Sequence, residues 1–188
     1  MQSVFINNMY TEEQIITQTK KWITEVVIGC NFCPFAAREV KRNAVNYIVE
    51  VSTDIATCLH TFINECIHMD EDAATETSLI IYPNAFENFE DYLDLVSLAE
   101  TLLERQEYEG VYQVASFHPK YCFEDANEND AANYTNRSVY PMLHILREES
   151  IEAALDHYAE PEEIPERNMK FAREKGVAYM KLLRDTCL

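Results

Sequence analysis

The sequence has few basic residues, and this shortage excludes several classes of partner. Only 15 lysines and arginines stand against 33 aspartates and glutamates among 188 residues, which gives a net charge of -18 at pH 7. A surface this acidic repels the phosphate backbone, so nucleic-acid binding is not expected. It also disfavours contact with anionic membranes. We therefore expect a small molecule as the partner.

Long apolar runs are also missing. No stretch approaches the roughly 20 apolar residues that a membrane-spanning helix needs. The start of the chain has no basic segment followed by an apolar core, so a signal peptide is not predicted. We expect a cytoplasmic protein whose six cysteines are reduced thiols. A hydrophobic fraction of 47% and this length favour one globular domain spanning residues 1–188.

Alternating strand and helix patterns predict an α/β fold. Three strands are indicated, by alternation over Val45–Val51 and by the apolar runs Ser78–Tyr82 and Val111–Phe117. Amphipathic stripes over Ile55–Ile67 and Phe89–Leu103 place a helix between successive strands. Connections of this length favour parallel pairing. We predict a small parallel or mixed sheet of three to four strands packed with helices.

Extra helices are predicted at both termini. A capping box at Thr11–Gln14 begins the first helix, and Gly29 is interpreted as its C-terminal stop. Pro141 fits the first turn of a helix that runs through Arg147. A last amphipathic helix is predicted from about Glu166 to Arg184.

The polar stretch after the third strand is the predicted functional region. The stretch runs from Phe117 to Glu149, and ordered loops this long are usually functional. In open parallel sheets, ligands bind beyond the carboxyl ends of the strands, and the stretch begins at such an end. His118 ends the third strand, while His144 and Glu148 are spaced to share one face of the predicted helix. We predict acid/base chemistry by these three residues. In the alternative interpretation His118 simply ends the strand and bonds a backbone carbonyl.

Two arginines of the same region are predicted to hold an anionic ligand. The guanidinium groups of Arg137 and Arg147 could bind a carboxylate or phosphate through paired hydrogen bonds. Alternatively, both pair with the many neighbouring acidic residues. Three further polar side chains are predicted to orient the ligand: Asn133, Asn136 and Tyr140.

A metal site is a further hypothesis. His118 and His144 with one carboxylate would form a two-histidine-one-carboxylate set for a divalent transition metal. The sequence contains no H-E-x-x-H motif, so the spacing of the histidines does not by itself require a metal site. The carboxylate would come from one of three loop residues, namely Glu124, Asp125 or Asp130. A calcium loop is rejected, because Asp130 replaces the required glycine at its sixth position.

Cys33 closes a C-x-x-C motif with Cys30. The motif follows a helix C-terminus, where the helix dipole opposes a thiolate, so redox activity is disfavoured. There is no second C-x-x-C to complete a zinc site. Two interpretations stay open for Cys33: a nucleophile or ligand facing His118 or His144, and packing as a small apolar residue. Three other histidines are treated as background: His60, His68 and His157.

Several motifs together resemble the bacterial domain-of-unknown-function family 1415, over nearly the whole chain. They are NFCPF at 31–35, FHP at 117–119, NYTNRS at 133–138 and HILRE at 144–148. Cys30 and Val139 depart from the family pattern, which has an apolar residue and a proline there. The resemblance implies no activity, but it singles out a set of motif positions: Cys33, His118, Asp130, Asn133, Asn136, Arg137, His144, Arg147 and Glu148.

These observations favour an enzyme that acts on a small polar anionic metabolite by acid/base or metal-assisted chemistry. The alternative is a non-catalytic module that binds a metabolite or a partner.

Overall fold

The computed structural model describes residues 10–156 and 158–188. The start of the chain, predicted to lack a signal peptide, and His157, interpreted as a helix residue, lie outside them. The helices are α1 Glu12–Trp22, a π-helical segment Ile23–Ile28, α2 Ala36–Lys41, α3 Ile55–Glu71, α4 Phe89–Arg105, α5 Glu148–Leu155, α6 Ile164–Lys175 and α7 Val177–Asp185. The strands are β1 Val45–Val49, β2 Thr77–Ile81, β3 Tyr112–Phe117 and β4 Met142–Arg147, and two short 3-10 segments are Ala131–Thr135 and Pro161–Glu163.

The four strands form one mixed sheet in the order β1-β2-β4-β3. β1 and β2 pair in parallel, and β4 runs antiparallel to both of its neighbours. The predicted α/β fold, with helices at both ends of the chain, is confirmed. The insertion of β4 separates β3 from β2, so the third strand reaches the sheet only through a strand that comes later in the chain.

The segment Met142–Arg147 is a strand, and the prediction of a helix from Pro141 to Arg147 was wrong. Leu143 and Ile145 are fully buried on one face of the sheet, while Met142 is fully buried on the other. A central strand needs apolar side chains on both faces, so it has the short continuous apolar run that periodicity alone cannot distinguish from a buried helix.

Two layers of helices cover the two faces of the sheet. The first face carries α1, the π-helical segment, α6 and α7, and its core centres on the buried Trp22, Ile81 and Met142. The second face carries α3 and α4 and is centred on Phe62 and Tyr92. The polar segment 118–141 connects β3 to β4 and contributes Tyr134 and Tyr140 to the core of the first face.

The C-terminal helix is interrupted, so the prediction of one helix from about Glu166 to Arg184 was also wrong. Gly176 adopts φ 82 and ψ 158, a conformation that a glycine reaches without strain and that ends α6. Chain direction changes there, and α7 starts at the next residue. This break lets α6 pack against the 3-10 segment Ala131–Thr135, while α7 packs against the same segment and the π-helical turn.

At the other end of the chain, the predicted capping box is present. The Thr11 hydroxyl accepts a hydrogen bond from the Gln14 backbone amide, and the Gln14 side chain accepts one from the Thr11 amide. Gly29 is the C-cap of the π-helical segment, as its predicted role of C-terminal stop requires, and its backbone is right-handed with φ -60. The left-handed residue is Asn31, with φ 55, in the turn that carries Cys33. Within the described residues, no helix is both long and apolar enough to cross a bilayer.

Candidate functional site

A cleft of about 660 Å³ opens at the carboxyl end of β3, where four segments of the chain meet. They are the turn after the π-helical segment, the end of β3, the polar segment that follows β3, and α6. Its volume lies within the range of small-molecule sites. The lining residues are Val27, Phe32, Cys33, Phe117, Phe123, Glu124, Asp125, Ala126, Thr135, Asn136, Ile164, Pro165, Asn168, Met169 and Arg173.

Three aromatic side chains, those of Phe32, Phe117 and Phe123, lie in the cleft wall, and two of them pack against rings behind it. Phe117 meets the fully buried Trp22 edge-on, with ring centroids 5.2 Å apart. Phe32 meets Phe171 of α6 in the same manner at 5.9 Å. Because these rings are anchored on their far sides, the cleft presents a preformed apolar surface to a ligand.

Two side-chain amides supply polar groups to this surface. Asn136 Nδ2 donates to the Ser116 carbonyl at 3.3 Å, and Asn168 Nδ2 donates to the Phe32 carbonyl at 2.6 Å. An amide nitrogen carries two hydrogens, so each asparagine keeps a donor for a ligand. The half-buried thiol of Cys33 completes this part of the wall.

Asp130 lies beside the cleft and binds an arginine. One carboxylate oxygen accepts from the Ala132 amide at 2.9 Å, so Asp130 caps the 3-10 segment. Both oxygens also accept hydrogen bonds from the Arg173 guanidinium, the shortest of them 2.8 Å. The hydrogen bonds from Arg173 and from the Ala132 amide hold the pKa of Asp130 below its usual value.

His118 lies on the second face of the sheet, outside the cleft. Its Nε2 donates to the Phe86 carbonyl at 2.8 Å, and its Nδ1 accepts from the Lys120 amide at 3.0 Å. The ring packs against Phe89 and Tyr92 of α4. Burial lowers the pKa of His118, which favours the neutral form that this pair of bonds requires. Both ring nitrogens are therefore used in holding the chain, as the structural interpretation of His118 predicted.

His144 lies on the first face of the sheet, behind the cleft wall. Its Nε2 is 2.6 Å from the Thr77 hydroxyl, which also donates to the Ile145 carbonyl. The Phe117 ring lies 6.0 Å from the imidazole, on the side of β3. Burial lowers the pKa of His144 to about 4. The two predicted acid/base histidines thus occupy opposite faces of the sheet, and neither lines the cleft.

His144 makes stability depend on pH. Its pKa is about 4 in the folded chain, against an ordinary value of 6.5, so the unfolded chain binds the proton more tightly. The stabilisation from the neutral ring is complete above pH 6.5 and is lost as the pH falls to 4. We expect His144→Gln to remove about 2 kcal/mol of this pH dependence, measured by urea unfolding between pH 7.5 and 4.5. His60→Gln, on the exposed side of α3, is the control, and equal pH profiles for both variants would contradict the prediction.

Three residues that were predicted to hold or orient the ligand instead hold the polar segment in place. Asn133 is fully buried, with its Oδ1 accepting from the Phe123 amide at 3.1 Å and its Nδ2 donating to the Asn127 carbonyl at 2.9 Å. Arg137 donates to the Tyr121 and Glu128 carbonyls, both at 2.9 Å, and stacks on Tyr134. Tyr140 donates to the side-chain oxygen of Gln18 on α1. These three residues therefore hold the segment that forms part of the cleft wall, but they do not line the cleft themselves.

Arg147 and Glu148 lie at the opposite end of the sheet. Arg147 pairs with Tyr112 in the sheet register, five residues and roughly 17 Å along β3 from Phe117. Its guanidinium donates to the carbonyls of Met69, Asp72 and Thr75 around the end of α3. Glu148 begins α5 and lines a separate groove of about 280 Å³ beside α4. The face that these residues were predicted to share with His144 is not formed.

The predicted metal set is not assembled either. Within residues 10–156 and 158–188, no three or more histidine, cysteine, aspartate or glutamate side chains are grouped so as to hold a metal ion. Of the predicted site residues, the cleft brings together Cys33, Asn136 and two of the candidate metal carboxylates, Glu124 and Asp125, with Asp130 attached through Arg173.

Comparison with known protein families gives one match. Residues 14–182 match the family described as Protein of unknown function (DUF1415). The chain belongs to this family. The resemblance inferred from the sequence motifs is therefore confirmed, and every residue of the cleft lies within the matched range. No curated protein and no solved structure matches the chain.

In this DUF1415 protein, sequence reasoning missed the contribution of α6 to the site. Asn168, Met169 and Arg173 form one wall of the cleft. A signal was available, because Asn168 is four residues before Ala172 and therefore shares the apolar face of an amphipathic helix. An asparagine buried on such a face needs hydrogen-bond partners, and its bond to the Phe32 carbonyl fixes α6 against the Cys33 turn.

Proposed function

We propose that this DUF1415 protein binds a small molecule with an apolar body in the cleft at the end of β3. The observation that carries the proposal is the cleft itself, a preformed and mainly apolar hollow of about 660 Å³ with the Asn136 and Asn168 amides and the Cys33 thiol in its wall. Apolar walls with a few convergent polar groups are typical of small-molecule sites. The geometry favours the predicted binding module over acid/base catalysis, because both histidines have structural partners away from the cleft.

Protection of Cys33 from alkylation tests this proposal. A neutral aromatic probe, 2-naphthalenemethanol, should occupy the cleft and slow the reaction of Cys33 with N-ethylmaleimide by about tenfold at saturation. Cys30 provides the internal control, because it belongs to the same turn and is half-buried but does not line the cleft. Peptide mass spectrometry measures the two rates separately.

A variant that fills the cleft gives the second arm of the test. Ala126 lines the cleft, so Ala126→Trp should weaken binding of the probe by about tenfold or more. Ala56→Trp is the matched control, because Ala56 is exposed on α3 at the other face of the sheet. The proposal fails if the probe leaves the alkylation of Cys33 unchanged, or if both tryptophan variants bind it as the natural chain does.

The predicted enzyme acting on a small polar anionic metabolite remains a second candidate, with Cys33 as the nucleophile. The observation that favours it is the position of the thiol in the cleft wall beside Asn136. Intact-mass analysis after incubation with activated carboxylic esters and thioesters should then detect an adduct on Cys33. Cys33→Ser should lose the adduct and keep the binding of the naphthyl probe, whereas equal labelling of Cys30 would exclude this role.

We also propose a cellular location and a class of partner. The six cysteines are free thiols, which supports a reducing compartment such as the cytoplasm. The net charge of -18 supports a small molecule, and neither nucleic acid nor a membrane, as the partner.

A further inference from the structure

We propose that the cleft selects ligands that carry a positively charged head group, such as a protonated amine, on an aromatic or otherwise apolar body. This inference rests on the proposed function and adds the chemical class of the ligand. It reverses the charge that the sequence motifs suggested. Two features of the cleft carry it: the balance of charges at its rim, and the aromatic character of its wall.

The charges at the rim are dominated by carboxylates. Among the lining residues that belong to the described part of the chain, Glu124 and Asp125 are acidic and Arg173 is the one basic side chain. Arg173 is not free to act as an anion receptor, because Asp130 binds its Nε and Nη2 through both carboxylate oxygens. Counting Asp130, three carboxylates face one guanidinium. The rim therefore has an excess of negative charge.

The carboxylates of Glu124 and Asp125 lack a competing cation among residues 10–156 and 158–188. Within the described part of the chain, no basic side chain forms an ion pair with either of them. Arg167, the next guanidinium on α6, donates instead to the Tyr158 hydroxyl, the Asn31 carbonyl and the Asn168 side-chain oxygen. A ligand amine at the rim would thus find two exposed carboxylates that are not already paired.

The wall below the rim suits the same ligand. Phe32, Phe117 and Phe123 present aromatic rings, and an ammonium group close to a ring face is attracted by its quadrupole. The amide oxygens of Asn136 and Asn168 each accept one hydrogen bond and keep a second lone pair, which an amine can use. An anionic head group could use only the remaining amide hydrogens, and it would face the rim carboxylates with no unpaired basic side chain among the described lining residues.

The negative charge of the whole protein attracts cations to every part of the surface, so the test has to isolate the rim. Three probes with the same naphthyl body differ only in head group: 2-naphthalenemethanol, 2-naphthylmethylamine and 2-naphthoate. Calorimetric titration at low ionic strength should give about tenfold tighter binding for the amine than for the carboxylate. The difference should shrink as salt is added, because exposed charges are screened.

Matched double variants separate the rim from the overall field. Glu124→Gln with Asp125→Asn should remove most of the preference for the amine, measured as the ratio of its Kd to that of the neutral alcohol in the same variant. Glu100→Gln with Glu104→Gln carries the same change in net charge on the exposed side of α4, at the other face of the sheet, and should retain the preference.

The outcomes distinguish this inference from the proposed function. If the alcohol binds in the cleft and the amine is not preferred, the inference is overturned and the proposed function stands. Preference for the carboxylate would assign the head group to Arg173 and also overturn it. Equal loss of preference in the two double variants would show that the overall field, and not the rim, attracts the amine. If none of the three probes binds, both the proposed function and this inference are overturned.

Discussion

Arg147→Met is expected to destabilise the fold by about 3 kcal/mol, because it leaves several backbone carbonyls unpaired. The Arg147 guanidinium donates to carbonyls of Met69, Asp72 and Thr75 around the C-terminal end of α3. It also donates to the Tyr112 hydroxyl at 3.2 Å, and that hydroxyl donates to Asp70 at 2.7 Å. A cation at a helix C-terminus is favoured by the helix dipole as well. Methionine fills a similar volume but supplies no donor.

Thermal unfolding followed by circular dichroism checks this expectation, and the midpoint should fall by about 9 °C for a chain of this size. The unfolding midpoint of Arg147→Lys should lie between those of Arg147→Met and the natural chain, because an ammonium group keeps the charge but loses the planar set of donors. Binding of the naphthyl probe to folded Arg147→Met should be unchanged, since the residue lies on the other face of the sheet. A variant with normal stability and lost binding would instead support the ligand-holding role that the sequence suggested.

The predicted role of Arg147 depended on the secondary structure assigned to Met142–Arg147. On a helix, His144 and Arg147 would share a face, because they are three residues apart. On β4 the same spacing sends them to opposite faces, since successive side chains alternate across a strand. His144 accordingly packs near Phe117 on the first face, and Arg147 reaches α3 on the second. Because Met142–Arg147 is a strand and not a helix, the predicted His-Arg-Glu face does not form.

The location of the site was more accessible to sequence reasoning than its composition. The carboxyl end of β3 was predicted from the rule that ligands of open parallel sheets bind beyond the carboxyl ends of the strands, and Phe117, Cys33 and Asn136 line a cleft at that end. What brings α6 to the same place is a set of contacts between residues far apart in the chain, such as Asn168 with the Phe32 carbonyl. Neither hydrophobic periodicity nor local motifs encode a pairing across more than a hundred residues.

The polar composition of the segment after β3 has a physical explanation that does not require a ligand. A loop that runs partly inside the protein must pair its backbone amides and carbonyls without help from a strand or helix. Asn133 and Arg137 supply those partners through bonds to the backbone of residues 121–128. Asparagine and arginine in such a segment therefore resemble a binding motif, although their hydrogen bonds are directed inward.

Gly29→Ala is expected to destabilise the fold by about 3 kcal/mol, for a reason of space and not of backbone conformation. A Cβ at Gly29 would lie 2.2 Å from the carbonyl oxygen of Glu25 and 3.0 Å from its carbonyl carbon. The approach is this close because the Gly29 amide bonds the Thr24 carbonyl, five residues back, at 3.0 Å in the π-helical turn. The π-helical turn leads into the Cys33 turn, so relieving the clash would disturb one wall of the cleft. Urea unfolding should give a lower midpoint with an unchanged slope.

Gly110→Ala is the matched control for this substitution. Gly110 has φ +76 but no atom within 4 Å of the position of a Cβ, so alanine there adds backbone strain without a clash, at a cost of about 1 kcal/mol. The variants separate two roles of glycine, close approach at Gly29 and a left-handed backbone at Gly110. If Gly29→Ala unfolds at the same urea concentration as Gly110→Ala or the natural chain, the turn must accept an ordinary α-helical geometry. The cleft wall formed by Val27, Phe32 and Cys33 would then not depend on the π-helical segment.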